Sequence, residues 1–248
     1  MIDIHAHILP GLDDGAADWN EALTMAELSA ESGVTALVAT PHCGFPDQPL
    51  SGHRHRIQDR ITEFRDLLRQ NSIQLEILEG MEIFGTEDTL ELLRRGQLTT
   101  LNRSRYPLIE FPFQDYARDA TDILEELRKM AYIPVVAHPE RYQYVQRNPG
   151  LLNLWSDMGC LLQINRGSLL GRFGRTCEAL AWAMLDRGFV CTIASDAHTS
   201  HTRTTWMEDV QELLTSEFSR ETAELLLTVL PNCLIHDEPI HIPEPDWF

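Results

Sequence analysis

Residues 1–10 read MIDIHAHILP, with His5 and His7 one residue apart inside an apolar run. In a β-strand residues i and i+2 point to the same face, so the two imidazoles are expected side by side at the start of the chain. A pair of nitrogen donors in that position invites a search for partner ligands at matching places elsewhere.

Working outward, six more β-branched or aliphatic runs follow: TALVAT (35–40), QLEILEGMEI (74–83), PLIEF (107–111), IPVVAH (133–138), CLLQIN (160–165) and FVCTIAS (189–195). Between them lie amphipathic stretches, among them Asn20–Ser32, Arg56–Gln70, Asp119–Met130, Asn148–Met158 and Cys177–Arg187. Gly33, Gly159 and Gly188 each close a helical stretch ahead of a strand, as a C-terminal cap does. Strands alternating with helices are the pattern of parallel βα units. Seven such units without a glycine- or serine-rich linker predict an α/β chain, folded over 1–248 as a single domain related to the eightfold barrel. A last helix is expected near Arg220–Leu230, ahead of the tail HDEPIHIPEPDWF.

The 248 residues carry 20 basic and 38 acidic side chains, a formal net charge of −18. Such a surface repels nucleic-acid backbones and anionic lipid, which excludes a nucleic-acid partner. No apolar run reaches the roughly 18 residues of a membrane span. The five scattered cysteines contain no CxxC pair, which fits a reducing compartment. With an opening that reads as a strand rather than a signal peptide, a cytoplasmic protein is expected.

The C-terminal ends of the strands carry the chemistry. The first delivers His5 and His7, followed by the loop GLDDG with Asp13 and Asp14. The next five deliver His42 (TPH), Glu82 (GME), Glu110 (IEF), His138 with Arg141 (HPER), and Asn165 with Arg166. The seventh delivers Asp196 and His198 (SDAH). In α/β barrels this end of the strands holds the active site. Imidazoles and carboxylates are ligands for divalent metals such as Mn²⁺, Fe²⁺ or Zn²⁺. About nine candidates exceed what one ion takes, so two or three ions sharing bridging carboxylates are expected. Glu82 is preferred to Glu79 because it stands nearer the strand end. His53, His55, His201, His236 and His241 are read as ordinary histidines.

One rival pattern is Cys160–Arg166, in the C-x5-R spacing of cysteine-dependent phosphatases. That chemistry needs a thiolate in a glycine-rich phosphate loop. The intervening Leu-Leu-Gln-Ile-Asn reads as a buried strand instead, so the thiol is expected to be inert.

Taken together, MIDIHAHILPGLDDGA, VATPH, GMEI, LIEFP, AHPER, QINRGSLLGRFG and ASDAH resemble the polymerase and histidinol phosphatase superfamily. Within it they are most similar to the bacterial manganese-dependent protein-tyrosine phosphatases of capsule and exopolysaccharide systems. The resemblance runs from Met1 to about Arg203. It implies a distorted (β/α)7 barrel and three metal ions, manganese with iron or zinc as alternatives. His5, His7, Glu82 and Asp196 would hold one ion. Glu82 would bridge to a second, completed by Glu110 and His138, while Asp14, His42 and His198 would hold the third. Arg141 and Arg203 match the family's phosphate-binding arginines, against the alternative that each pairs with a nearby carboxylate. The implied substrate is a phosphotyrosine protein, an autophosphorylated bacterial tyrosine kinase. Competing readings are a small-molecule phosphatase such as histidinol phosphatase, or a catalytically silent domain of a larger complex. Cys43 stands where many relatives have a second histidine, and is expected to bear on metal preference or oxidation sensitivity.

Overall fold

The computed structural model describes residues 1–45, 52–114, 117–242 and 244–248. Nine strands alternate with helices: β1 (Ile2–Ala6), β2 (Ala36–Ala39), β3 (His42–Cys43), β4 (Glu76–Glu79), β5 (Glu82–Phe84), β6 (Leu108–Glu110), β7 (Val135–Ala137), β8 (Leu161–Asn165) and β9 (Val190–Ala194). All pairings are parallel, in the orders β1-β2-β4 and β3-β5-β6-β7-β8-β9.

Two of the seven expected strands are therefore broken. TALVAT and the TPH that follows it give β2 and β3, separated by Thr40-Pro41, and QLEILEGMEI gives β4 and β5, separated by Gly80-Met81. Proline lacks the N–H a ladder needs. At Gly80 a Cβ would lie 2.6 Å from Val38 Cγ1, so the backbone passes β2 too closely for any side chain. Counting each broken pair as one stave recovers seven. The first and last staves meet at the parallel bridge Ala6–Ala197, where Asp196 N–H donates to His5 O (2.9 Å) and His7 N–H to Ala197 O (2.8 Å).

The helices pack outside this parallel arrangement. They include α1 (Trp19–Glu31), whose cap Asp18 accepts from Asn20 and Glu21 N–H at 2.8 and 3.0 Å, and α2 (His53–Gln70). The expected Asn148–Met158 helix starts later, at Gly150, because a residue before proline resists helical backbone. A separate short helix, Gln143–Arg147, precedes it. The last helix does not stop near Leu230. Arg220–Glu224 runs on through a π-helical stretch, Leu225–Val229, into Leu230–Ile235. Pro231 falls in the first turn of that final segment, where a missing N–H goes unnoticed. Glu208–Glu217 forms a helix not expected from the sequence. Among the described residues no helix is long and apolar enough to cross a membrane.

Fully buried Ile4, Leu37, Ile77, Ile83, Leu108, Val136, Ile164 and Ile193 on the strands form the core with residues such as Met25, Phe64 and Trp155 from the helices. Asp3 is buried among them. Its Oδ1 accepts from Ser195 N–H at 3.1 Å and His5 N–H at 3.3 Å, tying the first stave to the last. Removing this acceptor strands a buried donor, which costs about 1–3 kcal/mol. Asp3→Ala is thus expected to lower the melting temperature by about 2–4 °C per kcal/mol in a chain of this size. An unchanged midpoint in calorimetry would show that the closure does not depend on Asp3.

Candidate metal centre

The strand ends deliver their side chains into one buried well. His5, His7, Glu82, His138 and Asp196 are at most 1% exposed, and Glu110 and His198 are each 6% exposed. Glu82 is the hub. Its Oε1 lies 3.3 Å from His5 Nε2 and 2.8 Å from His138 Nε2, and its Oε2 3.2 Å from His7 Nε2 and 2.8 Å from His42 Nδ1. Glu110 stands behind it, 3.7 Å from His138 Nε2 and 3.5 Å from His42 Nδ1. At the mouth, Asp14 Oδ1 lies 3.6 Å from His42 Nε2 and 3.5 Å from His198 Nε2, with its side chain 70% exposed.

Four groups of donor atoms are close enough to share an ion: His7-Asp14-His42-His198, His5-His7-Asp196, His5-Glu82-His138 and His42-Glu82-Glu110. All nine expected ligands fall in these groups. The partition differs in detail from the one implied by the resemblance. His7 also faces the mouth group, and His42 reaches Glu82 and Glu110 through its other ring nitrogen. Glu79 is elsewhere, bound by Arg54, Arg103 and Gln58.

The orientation of the deepest ligands follows from one hydrogen-bond relay. Asp196 Oδ2 accepts from Asn165 Nδ2 at 2.5 Å, and an ionised carboxylate can only accept. Asn165 Oδ1 therefore faces Gln163 Nε2 at 2.8 Å, and Gln163 Oε1 faces His5 Nδ1 at 3.0 Å. His5 thus carries its proton on Nδ1 and turns the Nε2 lone pair into the well. Asp13 does the same for His7, holding its Nδ1–H at 2.7 Å. Gly15 permits this turn, because a Cβ there would sit 2.1 Å from His7 O. The two Nε2 atoms then face each other at 3.2 Å beside two carboxylates. Nitrogens and carboxylates converging in this way need a proton or a metal cation between them, and second-sphere hydrogen bonds of this kind set the tautomer of metal-binding histidines.

The electrostatics agree. Burial alone would lower His5 and His7, yet Glu82 and Asp196, joined at His7 by Asp13, raise both, His7 well above its usual range. Burial likewise opposes ionisation of Glu82 and Asp196, but His5 and its neighbours outweigh it and hold both well below the usual carboxylate range. At Glu110 the help from His7 and Arg141 is too small. Burial, then the charges of Glu82 and Asp196, push it up to about 9. Burial lowers His138 to about 4 and, with His7 and Arg203, His198 to about 3, leaving both neutral donors. The ionised carboxylates of the well thus depend on positive charge set among them, which protons on His5 and His7 supply and which divalent cations would supply in their place.

Arg141 and Arg203 both pair with Asp196 Oδ2, Arg141 at 3.0 Å, and Arg203 Nε also reaches Asp196 O at 3.1 Å. Each arginine does pair with a carboxylate, and it is the one whose Oδ1 faces His5 and His7. His138 and Asp196 have positive φ, 36° and 49°. Such backbone costs non-glycine residues of order 1–3 kcal/mol and tends to persist at functional sites.

The thiols stand apart. Cys160 precedes β8 and Arg166 follows it, so the strand separates the C-x5-R pair, and Arg166 is bound by Asp209. Burial pushes the Cys160 and Cys43 thiols up to about 12, which leaves both protonated and unreactive. The expected oxidation sensitivity at Cys43 meets a side chain that is 0% exposed.

Residues 1–236 match the family model described as capsular polysaccharide synthesis, CpsB/CapC. The tyrosine-protein phosphatase YwqE of Bacillus subtilis (strain 168) is 35% identical over 237 residues, 92% of this chain and 91% of the relative. The tyrosine-protein phosphatase CpsB of Streptococcus pneumoniae is 30% identical over 247 residues, 97% and 100% of the two chains. A solved structure from work on YwqE and CpsB, described as unique metal-dependent tyrosine phosphatases, superposes with a TM-score of 0.93 at 33% identity. It covers 100% of this chain and 99% of its own. The chain belongs to the CpsB/CapC capsular polysaccharide synthesis family.

Proposed function

We propose that the chain is a metal-dependent phosphoric monoester hydrolase that removes phosphate from protein tyrosine residues. What supports this most is the well of converging imidazoles and carboxylates with two guanidiniums on the far oxygen of Asp196. The ions would be three, manganese first with iron or zinc as alternatives. His5, His7, Glu82 and Asp196 would hold one, Glu82, Glu110 and His138 a second, and Asp14, His42 and His198 a third, with His7 in reach of the last. Divalent ions bound there would supply Lewis acidity and make water more acidic.

The remaining work belongs to this chain's side chains. Arg141 and Arg203 present planar N–H forks that a dianionic phosphoryl group can bridge. Their charge is fixed in place before charge develops on the equatorial oxygens. The relay through Gln163 and Asn165 keeps His5 in the one tautomer that can bind a cation. A phenolate leaving group, with an ordinary pKa near about 10, needs little protonation. Cys160 takes no part, so no phosphocysteine forms. The relatives' names and the capsule family support a phosphotyrosine protein as substrate, in particular an autophosphorylated bacterial tyrosine kinase met in the cytoplasm. The whole of 1–248 is read as one catalytic unit.

Chelation is expected to abolish hydrolysis of a phosphotyrosine peptide, and Mn²⁺ to restore it best. Phosphoserine peptide and histidinol phosphate should be turned over far more slowly. Full activity in demonstrably metal-free protein would overturn the metal assignment, and a preference for histidinol phosphate the substrate assignment. Arg141→Ala and Arg203→Ala are expected to retain their metals while losing about 2–4 kcal/mol of transition-state stabilisation, read from kcat/KM. Lysine at either position should rescue only part, lacking the planar fork. Metal lost with the arginine, or kcat/KM unchanged, would assign that arginine to structure.

A further inference from the structure

A guanidinium bonds through its edge and stacks through its faces. The edges of Arg141 and Arg203 meet Asp196. The faces meet aromatic rings: the Arg141 Cζ lies 4.4 Å from the centroid of Phe173 and 4.6 Å from that of Phe113. The Arg203 Cζ lies 5.9 Å from the same Phe173 ring. One half-buried phenylalanine thus lies within cation–π distance of both guanidiniums, and a second lies near Arg141.

The seat for that ring is built into the helix Arg166–Leu169. A Cβ on buried Gly167 would lie 2.8 Å from Phe173 Cε2 and 3.2 Å from Cζ. Only glycine lets the ring lie where it does. The segment RGSLLGRFG therefore contributes a hole and the ring that fills it, six residues apart, beneath two arginines from other parts of the chain.

We propose that Phe173, seated by Gly167, is a positioning residue for the phosphate-binding arginines. This rests on the phosphatase reading above. The ring fixes the guanidinium planes, so the N–H groups that Asp196 leaves open are oriented in advance for a phosphoryl group. Its negative π-face also offsets the repulsion of two cations sharing one seat. Phe113 adds a second ring 4.6 Å from the Arg141 Cζ.

The test measures inorganic phosphate affinity by calorimetry on metal-loaded protein, with kcat/KM on a phosphotyrosine peptide, metal content and melting temperature. Phe173→Leu is expected to weaken phosphate binding and lower kcat/KM about tenfold, equivalent to about 1.4 kcal/mol, with metal content unchanged. Phe173→Trp, which keeps a π-face, should remain within about threefold of wild type on the same scale. Gly167→Ala should reproduce most of the leucine defect, and should add little to it in the double variant. Phosphate affinity and kcat/KM within twofold of wild type in both Phe173→Leu and Gly167→Ala would overturn the proposal, as would a tryptophan variant no better than leucine. Should Phe173→Leu fail to fold, Phe173→Trp against Gly167→Ala decides in the same terms. A wild type inactive on aryl phosphates but binding phosphate through Phe173 would overturn the phosphatase reading and uphold this one. An active enzyme indifferent to Phe173 would do the reverse.

Discussion

Asp196 accepts hydrogen bonds and, ionised, donates none, and that asymmetry orders what packs around it. Through Asn165 and Gln163 it fixes the proton of His5 on Nδ1 and aims Nε2 inward. Its Oδ1 faces His5 and His7, 3.5 and 3.4 Å away, while its Oδ2 carries two arginines. One carboxylate thus separates a cation-seeking well from an anion-seeking surface. Substrate chemistry that brings a phosphoryl dianion against metal ions needs both sides within a side chain's length.

The fold exists to hold that carboxylate still. Asp196 follows β9 with its N–H bonded to His5 O, where the last stave meets the first. Parallel staves align their C-terminal ends, so nine candidate ligands from six staves and their loops reach one well without any long excursion. The buried charge would be prohibitive alone. Neighbouring imidazoles hold Glu82 ionised, whereas at Glu110 burial and the charges of Glu82 and Asp196 outweigh such partners and favour the protonated acid.

The residues that line the well were legible because type and period coincide. His5 and His7 share a strand face, and His42, Glu82, Glu110, His138 and Asp196 each end an apolar run. Glu82 could be told from Glu79 by its place past Gly80-Met81, where the strand breaks. The supporting residues were not legible. Gln163 shows nothing in sequence and Asn165 only a polar strand end, and their relay depends on which stave lies beside which. Asp13 looked no different from Asp14, yet one holds His7 from behind and the other stands at the exposed mouth. The aromatic seat of Phe173 depends on a missing Cβ six residues earlier, a packing fact without a local signature. The split staves and the π-helical passage into Pro231 arise from backbone contacts that propensity does not encode.

Diffraction from crystals soaked in Mn²⁺, with anomalous differences collected at the manganese edge, tests the central claim most directly. The expected map places ions against His5 Nε2, His7 Nε2 and Glu82, with Gln163 and Asp13 still on the opposite ring nitrogens. A well that stays free of anomalous density at saturating Mn²⁺, or ions bound only at the exposed mouth beside Asp14, would contradict it.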